Sequence, residues 1–310
     1  MNCLYFAEEA SAMECDYEVL ILSNGYDDRS LAMSKILNNK SARITEILIL
    51  QYENGSLDKI HALFPSAHIS SINISINQAD FLMKLISIQA ILETSKILID
   101  VSCIHTPEMF TLLKYFELSN PKPSIDIAYS IPFDYEFQNE PFTSYHSYYG
   151  DLRTNDLLGY GGNLDGSAYS KMIIFLGFEG ALSSKVAEDI QYDDLLLVNN
   201  LPSFFPKYRD ISIINNYDLL TGQHGKYLYV PASNPFETYN FLCRTLQESE
   251  HVCIAPLSTK PVALGICMYA LAHKNLRVVY PMSDQYNYHR TNRVLRTFIY
   301  RVPLDKIRDI

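Results

Sequence analysis

The sequence of 310 residues contains no tryptophan, no Cys-x-x-Cys pair and no apolar run long enough to cross a membrane. Its six cysteines are scattered, and their spacing argues against a disulfide framework or a zinc site. Cys253 and Cys267 lie inside apolar runs, and we expect the cysteines to be buried free thiols. Residues 1–9 lack a basic residue ahead of their short apolar run and end in two glutamates, which argues against a secretory signal and predicts a cytoplasmic protein.

Recognisable catalytic and cofactor motifs are also missing. The sequence holds neither a Gly-x-Gly-x-x-Gly fingerprint nor a P-loop, the two glycine-rich signatures of nucleotide binding at a strand-to-helix turn. A Gly-x-Ser-x-Gly elbow and an Asp-x-Asp metal pair are absent as well. We therefore assign no catalytic residue, no metal site and no cofactor, and leave enzymatic activity open.

Basic residues number 25 against 35 acidic ones, which gives a net charge of −10. Because the neutralisation of phosphates drives general nucleic-acid binding, this balance argues against that function class. The exception is the basic segment 289–308, which carries Arg290, Arg293, Arg296 and Arg301. Such a segment would contact a phosphate or an acidic partner, or it would form the solvated face of a strand or helix.

Apolar, β-branched runs recur along the chain, each followed by a turn and an amphipathic segment. This alternation predicts an α/β protein of two tandem Rossmann-like units, with largely parallel sheets and flanking helices. Residues 1–131 form the first unit in this interpretation, and 171–310, with the basic segment as its tail, form the second. Between them, residues 132–170 are rich in tyrosine and glycine and predict a loop-rich connector with short strands at most.

The two predicted units share landmarks when one is laid on the other with a shift of about 150 residues. A Gly-aromatic-acid turn at 25–27 then meets a turn of the same kind at 177–179. Asn77 meets Asn234, and both are predicted helix N-caps, the second followed by a proline suited to the first helical turn. The matching order of landmarks favours divergent copies of one unit over coincidence.

The first candidate site follows the first strand of each predicted unit, since ligands of open α/β sheets bind beyond the carboxyl ends of the strands. It offers Gly25, Asp27 and Arg29 in one copy, and Gly177 and Glu179 in the other. Glycine allows close approach of the backbone to a ligand, and an acid there would accept from a ribose hydroxyl or cap the next helix. A tight turn with an N-cap is the alternative explanation.

The second candidate site follows the fourth predicted strand of each unit. Its polar side chains are assigned to ligand binding: Asp100, Ser102, His105 and Thr106 in the first copy, and Ser258, Thr259 and Lys260 in the second. A hydroxyl followed by lysine at a helix N-terminus makes an anion site, because backbone N–H groups, the helix dipole and an ammonium converge there. Helix capping beside a solvent-facing lysine is the alternative.

These turns resemble those of CARF-domain proteins, the Rossmann-like sensors of cyclic oligonucleotides in prokaryotic defence. That family often carries Asp-x-Thr-Gly-Gly-Thr-Lys at this point. Ser-Thr-Lys-Pro at 258–261 matches the end of the motif, and Asp100 with Ser102 and Thr106 matches its start and a later hydroxyl. The second copy lacks the acid, and Pro107 stands where the first copy would need lysine. The resemblance implies a nucleotide-type ligand in a pseudo-symmetric pocket of both halves, and a role in antiviral defence.

Three functions are compatible with these residues. The first is a sensor that binds a nucleotide-type, phosphate-bearing ligand and reports it to a protein partner or within a homo-oligomer. The second is an enzyme acting on a nucleotide or phosphosugar, with Asp27, Glu179, Asp100 or His105 as acid or base. The third is an interaction protein whose strand-end aspartate and lysine only cap helices. Of these three functions, we expect the first, a sensor of a nucleotide-type ligand.

Overall fold

The computed structural model describes residues 4–6, 17–24, 27–52, 57–74, 77–88, 96–135, 148–149, 151–162, 169–222, 226–247, 251–282, 285–286, 291–305 and 307. They belong to two units. Unit 1 draws its residues from 1–136 and 290–310, and unit 2 from 137–289. In the part of the chain that the structure describes, every helix is too short or too polar to cross a membrane.

Unit 1 is built on a seven-stranded, mostly parallel sheet. Its strands are β1 (Leu4–Phe6), β2 (Val19–Ser23), β3 (Glu46–Gln51), β4 (His68–Asn73), β5 (Lys96–Asp100), β6 (Ser124–Tyr135) and β15 (Thr291–Val302). They lie in the order β1-β15-β6-β5-β2-β3-β4. The strands from β2 to β6 pair in parallel, whereas β15 is antiparallel to both of its neighbours.

The helices of unit 1 follow the strands along the chain. They are a 3₁₀ turn (Asp28–Leu31), α1 (Ala32–Asn39), α2 (Asp58–Leu63), α3 (Gln78–Ser87) and α4 (Thr106–Leu118). Asn77 accepts a hydrogen bond from the N–H of Ala79, which confirms the predicted cap of α3. On one face of the sheet, Met33 and Leu37 of α1 share a buried cluster with Leu20 and Ile47. The apolar face of this helix therefore packs against the sheet.

Unit 2 is built on a six-stranded sheet, again mostly parallel. Its strands are β8 (Arg153–Gly161), β9 (Tyr169–Phe175), β10 (Tyr192–Asn200), β11 (Lys226–Val230), β12 (Val252–Pro256) and β13 (Arg277–Met282). They lie in the order β11-β10-β9-β12-β13-β8, and β8 alone among them is antiparallel to its neighbour. A separate antiparallel pair joins β7 (Tyr148–Tyr149) to β14 (Gln285–Tyr286).

Five helices accompany the sheet of unit 2 in the described residues. They are α5 (Gly180–Asp189), α6 (Pro206–Asn215), α7 (Tyr217–Gly222), α8 (Pro235–Thr245) and α9 (Lys260–Ala272). Asn234 accepts from the N–H groups of Phe236 and Glu237, which confirms the second predicted cap. Residues 261–271 of α9 are all buried, and a Cβ on Gly265 would lie 2.2 Å from the carbonyl oxygen of Pro235. Glycine at 265 therefore lets α9 pack closely against the start of α8.

The two sheets share one strand order. In each, the first parallel strand (β2 or β9) has the second and third on one side and the fourth and fifth on the other, followed by an antiparallel strand. This is a Rossmann-like arrangement, in which the chain changes direction between the first and fourth strands and leaves a crevice at their carboxyl ends. The predicted α/β class is confirmed. The matching order is what a duplication would leave, and the duplication itself stays a prediction.

Two segments differ from the sequence-based expectation. The basic segment, assigned to the second unit, forms β15 and pairs with β6 of unit 1 from Thr291↔Tyr135 to Val302↔Ile125. Residues 153–161, placed in the loop-rich connector, form the nine-residue strand β8. Both strands find partners far along the chain, and local composition carries no signal of such pairing. The cysteines also differ in part: Cys253 and Cys267 are buried as predicted, but Cys243 is exposed.

Candidate functional site

Asp27 and Arg29 form a closed ion pair at the carboxyl end of β2. The Asp27 carboxylate accepts from the Arg29 backbone N–H at 2.7 Å and from its Nε and Nη2 atoms at 2.7–3.1 Å. The side chains are 12% and 6% exposed for Arg29 and Asp27. Burial opposes the Arg29 charge, but the Asp27 carboxylate outweighs it and holds the pKa of Arg29 well above its ordinary value. The charge of Arg29 is therefore neutralised by its ion pair with Asp27. Gly25 lies outside the described residues.

Asp100 and Ser102 form the turn after β5. The Oδ1 atom of Asp100 accepts from the backbone N–H of Ser102 at 3.0 Å and from its hydroxyl at 2.5 Å. Burial raises the pKa of Asp100 to about 6, although the Ser102 hydrogen bonds oppose the shift. The Oδ2 atom of Asp100 is buried without a partner among the described residues. Arg29 and Asp27 interact electrostatically with this carboxyl, so the structure brings both predicted turns of unit 1 together.

A buried polar chain ties this turn to the C-terminal strand. The Ser102 hydroxyl accepts from the backbone N–H of Ser130 on β6 at 2.8 Å. The Ser130 hydroxyl is in turn hydrogen-bonded to the Thr297 hydroxyl on β15 at 2.8 Å, and both side chains are fully buried. The strand that sequence reasoning treated as a tail thus completes the polar network beside Asp100.

His105 and Thr106 start helix α4 and are held by internal contacts. The His105 backbone N–H donates to the Tyr52 hydroxyl at 2.9 Å, and the two rings stack with centroids 3.9 Å apart. Thr106 is buried, Pro107 has no N–H, and Glu108 places an acid in the first helical turn. An acid already occupies the positive end of this helix, so its N-terminus is poorly suited to a second anion.

In unit 2 the two predicted turns meet at Gly177. A Cβ on this residue would lie 2.1 Å from the carbonyl oxygen of Leu257, so the backbone after β9 touches the backbone after β12. The Gly177 carbonyl accepts from Ser212 at 2.9 Å and from Asn216 at 3.0 Å, both near the end of α6. Glu179 precedes α5, but its side chain does not cap the helix, unlike Asp27 in unit 1.

The residues Ser258, Thr259 and Lys260 form the turn between β12 and α9, and all three are partly exposed. The Thr259 hydroxyl donates to the Ala232 carbonyl at 2.7 Å and makes no capping bond to the helix. Lys260 is the first residue of α9, and the first turn holds no acidic residue. A cation therefore stands at the positive end of a 13-residue helix.

Asn200, which sequence reasoning did not single out, borders this turn. It is the last residue of β10, the residue is 8% exposed, and its Nδ2 donates to the Ser258 hydroxyl at 2.8 Å. The Oδ1 atom is buried and has no partner in the described part of the chain. A signal was present, since the apolar run predicts a strand over 195–199 and Asn200 directly follows its carboxyl end, where ligands of this fold class bind.

The described residues contain no group of three or more His, Cys, Asp or Glu side chains arranged to hold a metal ion. Fold and site together define a Rossmann-like α/β protein. In unit 1 the turns at the carboxyl ends of β2 and β5 are buried and their polar groups are paired internally. In unit 2 the turn after β12 is partly exposed.

Comparison with known proteins adds no family. No protein-family model matches the chain, and no curated protein matches it. Among solved structures, it is similar to the cytoplasmic domain of a prokaryotic cation chloride cotransporter, with 7% identity over 88% of this chain and 98% of that chain. The TM-score is 0.26, and we base no argument on this likeness.

Proposed function

We propose that this protein is a cytoplasmic sensor that binds a phosphate-bearing, nucleotide-type ligand at the Ser258–Lys260 turn of unit 2. It would report occupancy to a protein partner or within a homo-oligomer. The observation that carries the proposal is Lys260 at the N-terminus of α9, in a first turn without an acid. A cation at the positive end of a helix is unfavourable by itself, and a bound anion removes that penalty.

Two kinds of donor would converge on such an anion. Backbone N–H groups of the first helical turn point out of the helix, except at Pro261, which has none, and the Thr259 hydroxyl does not cap them because it is bonded to Ala232. The Lys260 ammonium adds a charge on a flexible stem. Gly177 brings a second backbone turn to the same place. This combination is typical of phosphate sites in α/β proteins.

The phosphate would bind in unit 2 rather than unit 1 for a physical reason. In unit 1, Arg29 is already paired with Asp27, and Glu108 lies in the first turn of α4. Both features disfavour an incoming anion there. A part in prokaryotic antiviral defence is proposed from the resemblance to CARF-domain sensors alone.

The test is ligand binding measured by thermal shift and calorimetry on the full chain. The probes are mononucleotides, dinucleotide cofactors, and linear and cyclic oligonucleotides. A ligand that binds only the folded state raises the melting temperature by mass action. We expect one class to stabilise the wild type and Lys260→Ala to bind it about tenfold more weakly, the loss typical of one charge-assisted hydrogen bond.

The matched control is Lys226→Ala, an exposed lysine at the start of β11. It should bind like the wild type. A panel without any stabilising ligand, or equal losses in both variants, would overturn the proposed site. Product analysis with the bound ligand then distinguishes a sensor, which leaves it intact, from an enzyme.

A further inference from the structure

We infer that this protein forms a two-fold symmetric dimer in which the edge strand β11 of unit 2 pairs antiparallel with β11 of a second copy. The two six-stranded sheets then join into one continuous sheet. The proposed function leaves open whether occupancy is reported to a different protein or within a homo-oligomer, and β11 is the surface of that homo-oligomer. The pairing needs no ligand and does not depend on the Ser258–Lys260 turn.

Strand β11 has an open side. It lies at the end of the unit 2 sheet, and in the described part of the chain it pairs with β10 alone. A strand in this position presents a row of backbone N–H and carbonyl groups that have no strand partner, so it is a template for another strand. The occupant that matches these groups is an extended segment, which adds to the sheet through main-chain hydrogen bonds.

The sequence of β11 is typical of an interior strand. Residues 227–230 form an uninterrupted apolar run, Tyr-Leu-Tyr-Val, which is the pattern of a parallel strand covered on both faces. Yet Leu228 is 38% exposed and Tyr229 is 40% exposed. The rings of Tyr227 and Tyr229 lie on one face with centroids 4.9 Å apart, and Leu228 lies on the other because side chains alternate along a strand. Both faces of this edge therefore leave apolar surface in water.

The other long edge strands of the two sheets show the contrast. In the shared strand order, β4 has the place in unit 1 that β11 has in unit 2. The exposed residues of β4 are all polar: His68, Ser71 and Asn73. At the opposite edge of the unit 2 sheet, the exposed residues of β8 are Arg153, Asn155 and Gly159. Neither strand offers a second chain an apolar edge, whereas β11 lacks the polar side chains that protect edges from pairing.

Charge and register favour a second copy in antiparallel orientation. Lys226 is the one charged residue of β11 and stands at its start. A two-fold axis through Leu228 sets each Lys226 opposite the partner subunit's Val230, so the two lysines lie about 14 Å apart along the strands. Tyr227 then faces the partner subunit's Tyr229, and aromatic cross-strand pairs stabilise antiparallel strands. A parallel pairing in register would instead bring the two lysines side by side, which is unfavourable.

The experiment is sedimentation velocity of the full chain over a range of concentrations. Pairing through a five-residue strand buries little area compared with an obligate dimer, so we expect a reversible dimer with a micromolar dissociation constant. Leu228→Lys and Leu228→Glu each set like charges opposite each other at the two-fold axis, so each variant alone should sediment as a monomer. An equimolar mixture of the two variants should restore the dimer, because lysine then faces glutamate.

The matched control is Ser71→Lys, which adds a charge at an exposed position of the equivalent edge strand β4 and should leave the dissociation constant unchanged. Because Leu228 is exposed, both of its variants should melt close to the dilute wild type. A wild type that stays monomeric or assembles beyond a dimer would overturn the inference. So would a dimer that persists in either Leu228 variant, or a mixture that stays monomeric. Ligand binding at the Ser258–Lys260 turn is measured separately, so failure here leaves the proposed function standing.

Discussion

Arg29 and Asp27, two residues apart, form a pair in which the guanidinium contacts both carboxylate oxygens. Removing one partner of such a buried pair leaves an uncompensated charge. We expect Arg29→Met to lower the free energy of unfolding of unit 1 by about 3 kcal/mol. Urea denaturation measures this loss. The double variant Asp27→Asn with Arg29→Met should recover most of it, and a single variant as stable as the wild type would show that the pair is not desolvated.

Asp100 should make stability depend on pH. Its folded pKa of about 6 lies above the ordinary value of 3.8, because burial disfavours the charged form. The folded state therefore holds the proton more tightly, and this stabilisation is complete below pH 3.8 and is lost as pH rises through 6. The loss is on the order of 3 kcal/mol. Asp100→Asn cannot titrate, so urea denaturation should show it gaining stability relative to the wild type across that range. A constant difference between the two proteins would contradict the assignment.

Gly177 should tolerate no side chain. Its Cβ would lie 2.1 Å from the Leu257 carbonyl oxygen, so Gly177→Ala must push two backbone turns apart. We expect a loss of about 1–3 kcal/mol in unfolding free energy and weaker binding at the Ser258–Lys260 turn. Gly222→Ala is the control, since nothing lies within 4 Å of its Cβ and it ends helix α7. That variant should match the wild type or gain a few tenths of a kcal/mol, roughly. Equal effects at both positions would argue against the close approach.

Thr297 should couple the C-terminal strand to the turn that carries Asp100. Thr297→Val keeps the shape of the side chain but leaves the fully buried Ser130 hydroxyl without its partner. The expected loss is about 1–3 kcal/mol, measured by thermal unfolding of unit 1. Adding Ser130→Ala should restore part of the loss, because the unpaired hydroxyl is then gone. A double variant worse than the sum of the single ones would contradict the pairing.

Local pattern by itself determined the fold class. Alternating apolar runs and turns predict α/β structure because a strand or helix must present one periodic apolar face to a core. The helix N-caps at Asn77 and Asn234 could also be predicted from the sequence. A capping side chain accepts a hydrogen bond from a backbone N–H two residues later, so the interaction depends only on neighbouring residues. The candidate turns were placed correctly at the carboxyl ends of β2, β5, β9 and β12 for the same reason.

Tertiary structure decided which of those turns stays partly exposed. Asn200 and Ser258 are 58 residues apart, and they meet only because β10 and β12 both flank β9. The C-terminal strand β15 belongs to unit 1 because β6 offers a free edge there, not because its sequence differs from a solvated tail. Strand neighbours are chosen by the packing of the whole sheet, and the energy of a pairing depends on both partners. A pattern read along one segment contains only one of them.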